Sequence, residues 1–464
     1  MPRERDETSD ILVIGGGHAG LCAAITARQL GAKVTLLEAG DRNMRGGNSR
    51  HTRNLRAMHP KPTATLTEAY DSAEYWEDIL RVTGGHTTEN LTRMVIDQSY
   101  ELMDWLTAQG VRFQPSLRGT LSLERTNAFF LGGGCALINA LYRQAERDAI
   151  EVRYQAEITR IEFENNRFKT AVDSTGKRYH AQAAVLACGG FQANTEWMVE
   201  AWGEAARNFL IRGTPLNRGF VLKDLMAQGI ATIGEPTQCH AVAIDARAPQ
   251  FDGGIVTRLD SVPFGIVVNQ RGDRFYDEGE DFWPKRYAIW GRLVADQPDQ
   301  IAYSIVDQKV TNAFMPSVFP PLIAQSIAEL AAQLHIDADQ LSGTIARFNA
   351  ATQPSQHYDA TRLDGVGTTG LTPDKTNWAL PLDEPPYHAY PLRPGITFTY
   401  LGLVVDERAC VQRRGSEPID NLFAAGEIMA GNILGQGYCA GTGMTIGGVF
   451  GRIAGQQAAA EVCH

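Results

Sequence analysis

No C-x-x-C pair occurs in the sequence, and its seven Cys are scattered singly along 464 residues. That excludes the spacings of zinc ribbons, iron–sulfur ligation and c-type haem attachment, so no metal site is expected. An odd, unpaired set fits reduced thiols in a cytoplasmic setting better than a disulfide framework. A basic surplus is also lacking: 43 Lys+Arg stand against 53 Asp+Glu, a formal charge of −10, which argues against a general nucleic-acid binder. Long apolar stretches are missing too. The N-terminal MPRERDETSD is charged and has no signal-peptide core. The longest uncharged run, 428–451, holds eight Gly with Asn432 and Gln436 and is too polar for a spanning helix. The expectation is a cytoplasmic chain that meets a membrane only through a partner. No tandem repeat or low-complexity tract is present.

What the chain does have is glycine, 46 in all, clustered at 15–20, 46–47, 84–85, 132–134, 189–190 and 426–448. The stretch from about 285 to 365 has another texture, rich in Ala, Leu, Gln and Asp, with helical apolar spacing over 323–334 and 341–351. This predicts an α/β protein with a discontinuous Rossmann-like ligand domain, 1–235 and 379–464, and an inserted α+β capping domain, 236–378. The Pro-rich piece 380–394 reads as the return crossing between them.

Asp10–Ile14 is apolar enough for a buried parallel strand and runs into Gly15-Gly16-Gly17-His18-Ala19-Gly20, followed by an Ala-rich helix. In the G-x-G-x-x-G reading Gly15 makes the tight turn, Gly17 admits a pyrophosphate and Gly20 lets helix and strand pack. The helix N-terminus then offers free N–H groups to phosphate. A second strand, 33–37, ends at Glu38-Ala39, where a carboxylate should accept from an adenosine ribose.

Two more segments favour FAD over NAD. The run 181–191 ends in Gly189-Gly190, a site of close backbone approach. Near the C-terminus a strand leads to Gly426-Glu427. The turn 437–445, with Gly443, Met444 and Thr445, then opens another Ala-rich helix whose N-terminus can stabilise charge on a reduced flavin. NAD does not account for a second glycine–acid element some four hundred residues downstream.

These motifs resemble the flavoprotein family of fumarate reductases and succinate dehydrogenases, with the related ketosteroid dehydrogenases. The blocks RGGNSRHTRNLR (45–56), RTNAFFLGGG (125–134), DRFYDEGEDFWPKRYAIWGRLVA (273–295), RPGITFTYLGL (393–403) and AGEIMAGNILGQGY (425–438) resemble more closely the FAD-dependent tricarballylate dehydrogenases. The resemblance covers almost the whole chain. It implies an FAD domain with a cap and substrate trapped between them. It places Gly46, Gly47, Asn48 and Ser49 on the pyrophosphate and ring, beside the other cofactor positions named above.

Catalytic positions carry over less completely. Glu278 matches the acid of the family's proton relay, and Arg286 lies near its Arg. The substrate-binding His-Thr pair falls on Phe398-Thr399, the clamping Arg on Tyr438, and the main catalytic Arg near Thr311. Arg393 and Tyr438 are next in line for catalysis. Tyr438 and Tyr400 are also candidates for a hydroxyl near the flavin.

The implied reaction removes hydrogen across a CH–CH bond beside a carboxylate, tricarballylate to cis-aconitate, and a tricarboxylate asks for about three Arg clamps. Arg45, Arg50, His51, Arg53, Arg56 and His59 supply a local positive excess, and at least two are expected to touch substrate or FAD. Arg125, Arg212, Arg286 and Arg393 read individually as structural, as do His240 and His388, while Trp283, Tyr287 and Trp290 read as cap core. His51 sits where succinate dehydrogenases attach flavin, yet noncovalent FAD is expected. Another flavin desaturase or reductase substrate (a 3-ketosteroid, a fumarate-like acid, a corrin-pathway intermediate) and a flavin electron-transfer subunit without substrate remain open alternatives. The resemblance also implies a separate membrane-bound iron–sulfur partner that takes the electrons.

Overall fold

The computed structural model describes residues 9–115, 123–353, 357–415 and 417–463. Ser9–Ile14 is buried almost throughout, as a strand covered on both faces must be. It lies at the centre of an eight-stranded sheet, parallel to Val34–Leu37 on one side and Arg178–Leu186 on the other. Glu151–Arg153 extends the sheet beyond Val34–Leu37, and Pro418–Ala424 extends it beyond Arg178–Leu186, both in parallel. An antiparallel pair, Ile158–Glu164 and Arg167–Asp173, joins through Arg178–Leu186. The expected Rossmann-like core is therefore present, drawing strands from both the first and the last part of the chain.

The helices His18–Gln29 and Thr442–Val462 pack on each other through small residues. A Cβ on Gly451 would lie 2.5 Å from the Ala19 carbonyl oxygen, and one on Gly455 would lie 2.4 Å from that of Ala23. The glycines cost helix propensity, about 1 kcal/mol each relative to Ala, and buy backbone approach that no larger residue permits. Their register brings both helix N-termini to the same side of the sheet, next to one cavity.

A second sheet of six strands belongs to the cap. Its long member is Tyr387–Thr399, which pairs antiparallel with Cys239–Asp245, Ala302–Asp307 and Leu322–Ala324 and parallel with Leu210–Ile211. Residues 387–394 of the expected crossing are thus regular strand. Pro391 and Pro394 lie inside the strand, opposite Tyr303 and Ala243, and most of its side chains are buried. Proline removes a donor from a strand without removing its apolar surface, and here burial prevails. The second sheet thus draws on residues 210–211 and 387–399, outside the expected 236–378.

Within 323–334 the helix begins only at Ile327, because Ser326 accepts from the Glu329 N–H and Glu329 accepts from that of Gln325. Ile323 is in a strand instead. Trp290 is buried in the cap core as expected; the Trp283 side chain lies outside the described residues. Among the described residues no helix is long and apolar enough to cross a membrane.

Gly451→Ala sets two effects against each other. Propensity alone would stabilise the protein by about 1 kcal/mol, while the clash with the Ala19 carbonyl should cost about 1–3 kcal/mol. We expect a net loss, seen as a lower urea midpoint; a raised midpoint would contradict the packing account.

Candidate active site

One cavity runs between the two sheets, and its wall has two chemically distinct ends. The first is built by Gly15, Gly16, Gly17, His18 and Ala19, with Glu38 and Ala39, Gly47, Asn48 and Ser49, Gly189, Glu427, and Gly443 and Met444. The helix at His18 has no side-chain cap on Gly17, and only its His18 N–H is taken, by Ser49 Oγ at 3.1 Å. Its other first-turn N–H groups are left for an anion. A Cβ on Gly17 would meet nothing nearer than Ser49 Oγ at 3.5 Å, so bare backbone faces the cavity there. Gly20 is off the wall and serves packing: its Cβ would lie 1.8 Å from the Gly15 oxygen.

Glu38 accepts from Gly40 N at 2.7 Å and Gly46 N at 3.2 Å, which fixes the carboxylate at the end of its strand. Burial raises its pKa, opposed by these N–H groups. Glu427 accepts from Thr399 N at 2.9 Å and Asn217 Nδ2 at 3.3 Å, and burial pushes it up to about 7. Gly190 is beneath it, off the wall, where a Cβ would strike the Glu427 and Thr399 oxygens. Asn48 bridges Thr397 O and Thr214 N. Gly46 and Thr445 are likewise behind the wall, the latter donating to Arg56 O at 2.6 Å.

This end fits a dinucleotide: phosphate-ready helix ends, a glycine cradle and two fixed carboxylates. The chain matches the model of the FAD binding domain family over residues 10–446. The chain belongs to that family. FAD is its cofactor.

The flavoprotein is 26% identical to the NADH:fumarate oxidoreductase of Klebsiella pneumoniae (strain 342), over 97% of this chain and 47% of that one. It is also 26% identical to the fumarate reductase (cytochrome) of Shewanella frigidimarina, over 98% of this chain and 77% of that one. The chain thus spans about half the length of the first relative. Its fold is that of a flavocytochrome c3 fumarate reductase in its open conformation, with a TM-score of 0.77, 22% identity, and coverage of 99% of this chain and 80% of that one.

The second end of the flavoprotein's cavity is cationic and aromatic. Arg53 comes from the segment after the Gly47–His51 turn, Arg212 follows the short strand Leu210–Ile211, and Arg258 lies at a bridge to Ile244. His240 is the second residue of the strand Cys239–Asp245, Tyr287 comes from the helix Trp283–Ala295, and Tyr438 from the glycine-rich loop. His240 stacks on Tyr438, with centroids 3.9 Å apart, and meets Tyr287 edge-on. Its Nδ1 is buried without a hydrogen bond. Burial, then Arg212 and Arg258, hold its pKa well below the ordinary imidazole value. Tyr438 accepts from Gly443 N at 3.1 Å, and burial raises its pKa.

The other expected catalytic residues are placed elsewhere. Glu278 is buried against Arg274, 2.6 Å away, and accepts from Val267 N. Arg286 pairs with Glu280 and Tyr276 at the part-exposed edge of the cap, and Arg393 donates to the carbonyls of Asp299 and Gln300. None of the three is on the cavity wall, and each has its charge or donors met inside the protein. Thr311 is off the wall too, and Tyr400 is fully buried with its hydroxyl on Gly437 O.

Of the basic segment, only His51 and Arg53 reach the wall. Arg45 donates to Tyr154, Arg56 to Tyr70 and Asp78, and His59 bonds backbone carbonyls, while Arg50 donates to Met44. Arg125 pairs with Glu74, and His388 is off the wall. His240, Arg212 and Tyr287, read from sequence as structural, and Arg258, not singled out at all, are on the wall. A Gln-x-His run at 238–240 carried no signal of its own, because burial and convergence are tertiary properties.

His18 lies between the two glycine-packed helices, and burial lowers its pKa to about 4. The unfolded chain takes up this proton near 6.5, so stability present above pH 6.5 is lost as pH falls toward 4. The contribution is at most about 3 kcal/mol, at 1.36 kcal/mol per pKa unit. Urea unfolding at pH 7 and pH 5 with excess FAD should show a smaller acid loss in His18→Gln than in the unmutated protein; equal losses would contradict this.

Proposed function

We propose that the protein, an FAD-dependent oxidoreductase, dehydrogenates a small polycarboxylate across a CH–CH bond, converting tricarballylate to cis-aconitate. One observation carries the reading: Arg53, Arg212 and Arg258 share a single cavity with the FAD cradle, and among the described residues only Arg258 is paired with a carboxylate there, Asp260 at 2.7 Å. FAD, when bound, supplies a two-electron acceptor able to oxidise such an unactivated bond.

The chain's own groups do the rest. The planar guanidinium forks seat carboxylates and stabilise the negative charge that develops as the α-proton leaves. His240, with an unpartnered Nδ1, is the proton acceptor, and substrate carboxylates on Arg212 and Arg258 offset the two cations that lower its basicity in the free protein. Tyr438 stays protonated and spends its acceptor capacity on Gly443 N–H, leaving its O–H for a substrate oxygen. The same groups can serve the reverse proton transfer, the direction for which the two fumarate relatives are named. A steroid would leave these cations unpaired in an apolar environment.

Anaerobic addition of tricarballylate should bleach the flavin, whereas a 3-ketosteroid should not. No bleaching by any small carboxylic acid would contradict the reading. His240→Asn should retain FAD and slow bleaching by about 10²–10⁴-fold.

The electrons then leave for a separate membrane-bound iron–sulfur protein, since the sequence has neither an iron–sulfur Cys set nor a second dinucleotide fingerprint. Turnover should accordingly be fast with artificial dyes and slow with oxygen or NAD. Fast turnover with oxygen alone would remove the need for a partner.

A further inference from the structure

The three guanidiniums are not in equivalent states. Arg258 is held by both oxygens of Asp260, from Nε at 2.7 Å and Nη2 at 3.0 Å. Arg212 is steadied by neutral oxygens, donating from Nη1 to Thr397 Oγ1 at 2.9 Å and from Nε to Gly254 O at 3.4 Å. Arg53 donates to nothing among the described residues. Its Nε is sealed from solvent without a partner, its guanidinium carbon lies over the Phe129 ring at 5.7 Å, and the residue lines the cavity. Burial, then the like charge of Arg258, pull its pKa down to about 10. A guanidinium in that state awaits an anion.

Its position says which one. Arg258 lies over the Tyr287 ring, 4.9 Å from its centroid, and His240 meets that ring edge-on. Arg212 donates to Thr397, next to Phe398, the strand partner of His240. Arg212 and Arg258 are thus tied to residues that touch or pair with His240, whereas Arg53 rests on Phe129 instead. A substrate whose reacting CH–CH bond lies at His240 meets Arg212 and Arg258 with the carboxylates flanking that bond. Only an additional arm reaches Arg53.

We propose that Arg53 is the specificity-determining residue that reads the third carboxylate and so selects tricarboxylates over dicarboxylates. This rests on the polycarboxylate reading above. An acid that lacks the third carboxylate leaves Arg53 unpaired, and a site built around a polar partner rejects the analogue that omits it.

The matched probes are tricarballylate and 2-methylsuccinate, which share the CH–CH2 bond and its two flanking carboxylates and differ only in the third. Both are saturated and inert toward reduced flavin, so binding is measured by anaerobic calorimetry on photoreduced holoenzyme. The unmutated protein should bind tricarballylate roughly 100-fold or more tightly than 2-methylsuccinate. Arg53→Gln should bring that ratio within about tenfold, chiefly by weakening tricarballylate, with FAD content retained. Arg53→Lys, which keeps the charge but loses the fork, should give an intermediate ratio and decides the matter if the Gln variant does not fold. An unchanged ratio in the variant that folds overturns the role of Arg53. Failure of the unmutated protein to bind either acid overturns the polycarboxylate reading itself.

Discussion

Withdrawing a guanidinium from water without giving it an anion is costly, and this chain does so along one cavity wall, at Arg53 and Arg212. Two helix N-termini open on the same space from the opposite end. The cavity therefore offers helix N–H groups at one end, suited to the phosphates of a dinucleotide, and guanidiniums at the other, where we propose that carboxylates bind. Much of the surrounding structure holds that arrangement in place. Lys375, buried and donating to the carbonyls of Pro263 and Gly265 at 2.8 and 2.5 Å, fastens the segment just beyond Arg258. Asp252, bonded to His51, lies two residues from the carbonyl that Arg212 uses.

The approach of the first and last helices is what places both N-termini at the cavity. It depends on glycines that a helix would otherwise disfavour, so local propensity is given up for tertiary geometry. The cap sheet makes the complementary contribution. Its long strand, Tyr387–Thr399, ends at Phe398 and Thr399, where the Thr399 N–H binds Glu427 on the flavin side. A single strand thus joins the cap to the cofactor end, and the cavity is formed between them.

The flavin half was legible in the sequence because its chemistry is carried by local order: strand, glycines, helix, then strand and Glu38. Thirteen residues of continuous cap strand were not, since Pro391 and Pro394 signal a break when read locally and only pairing on both sides reveals a strand. The reacting end was legible least. Arg212, His240 and Arg258 come from separate segments and converge only through the fold. Glu278 and Arg286 sit in a family-like block, yet their charges are satisfied by Arg274 and Glu280. Motif resemblance located the segment, and burial with hydrogen-bond bookkeeping located the groups left free.

The central claim is that a single cavity seats FAD at its glycine end and a polycarboxylate at its arginine end. A crystal structure of the holoenzyme with bound tricarballylate tests it most directly. The account predicts the adenosine beside Glu38, the diphosphate at residues 15–19, and ligand carboxylates within hydrogen-bond reach of Arg212, Arg258 and Arg53. Carboxylates bound away from these three residues, or FAD occupying the arginine end, would contradict it.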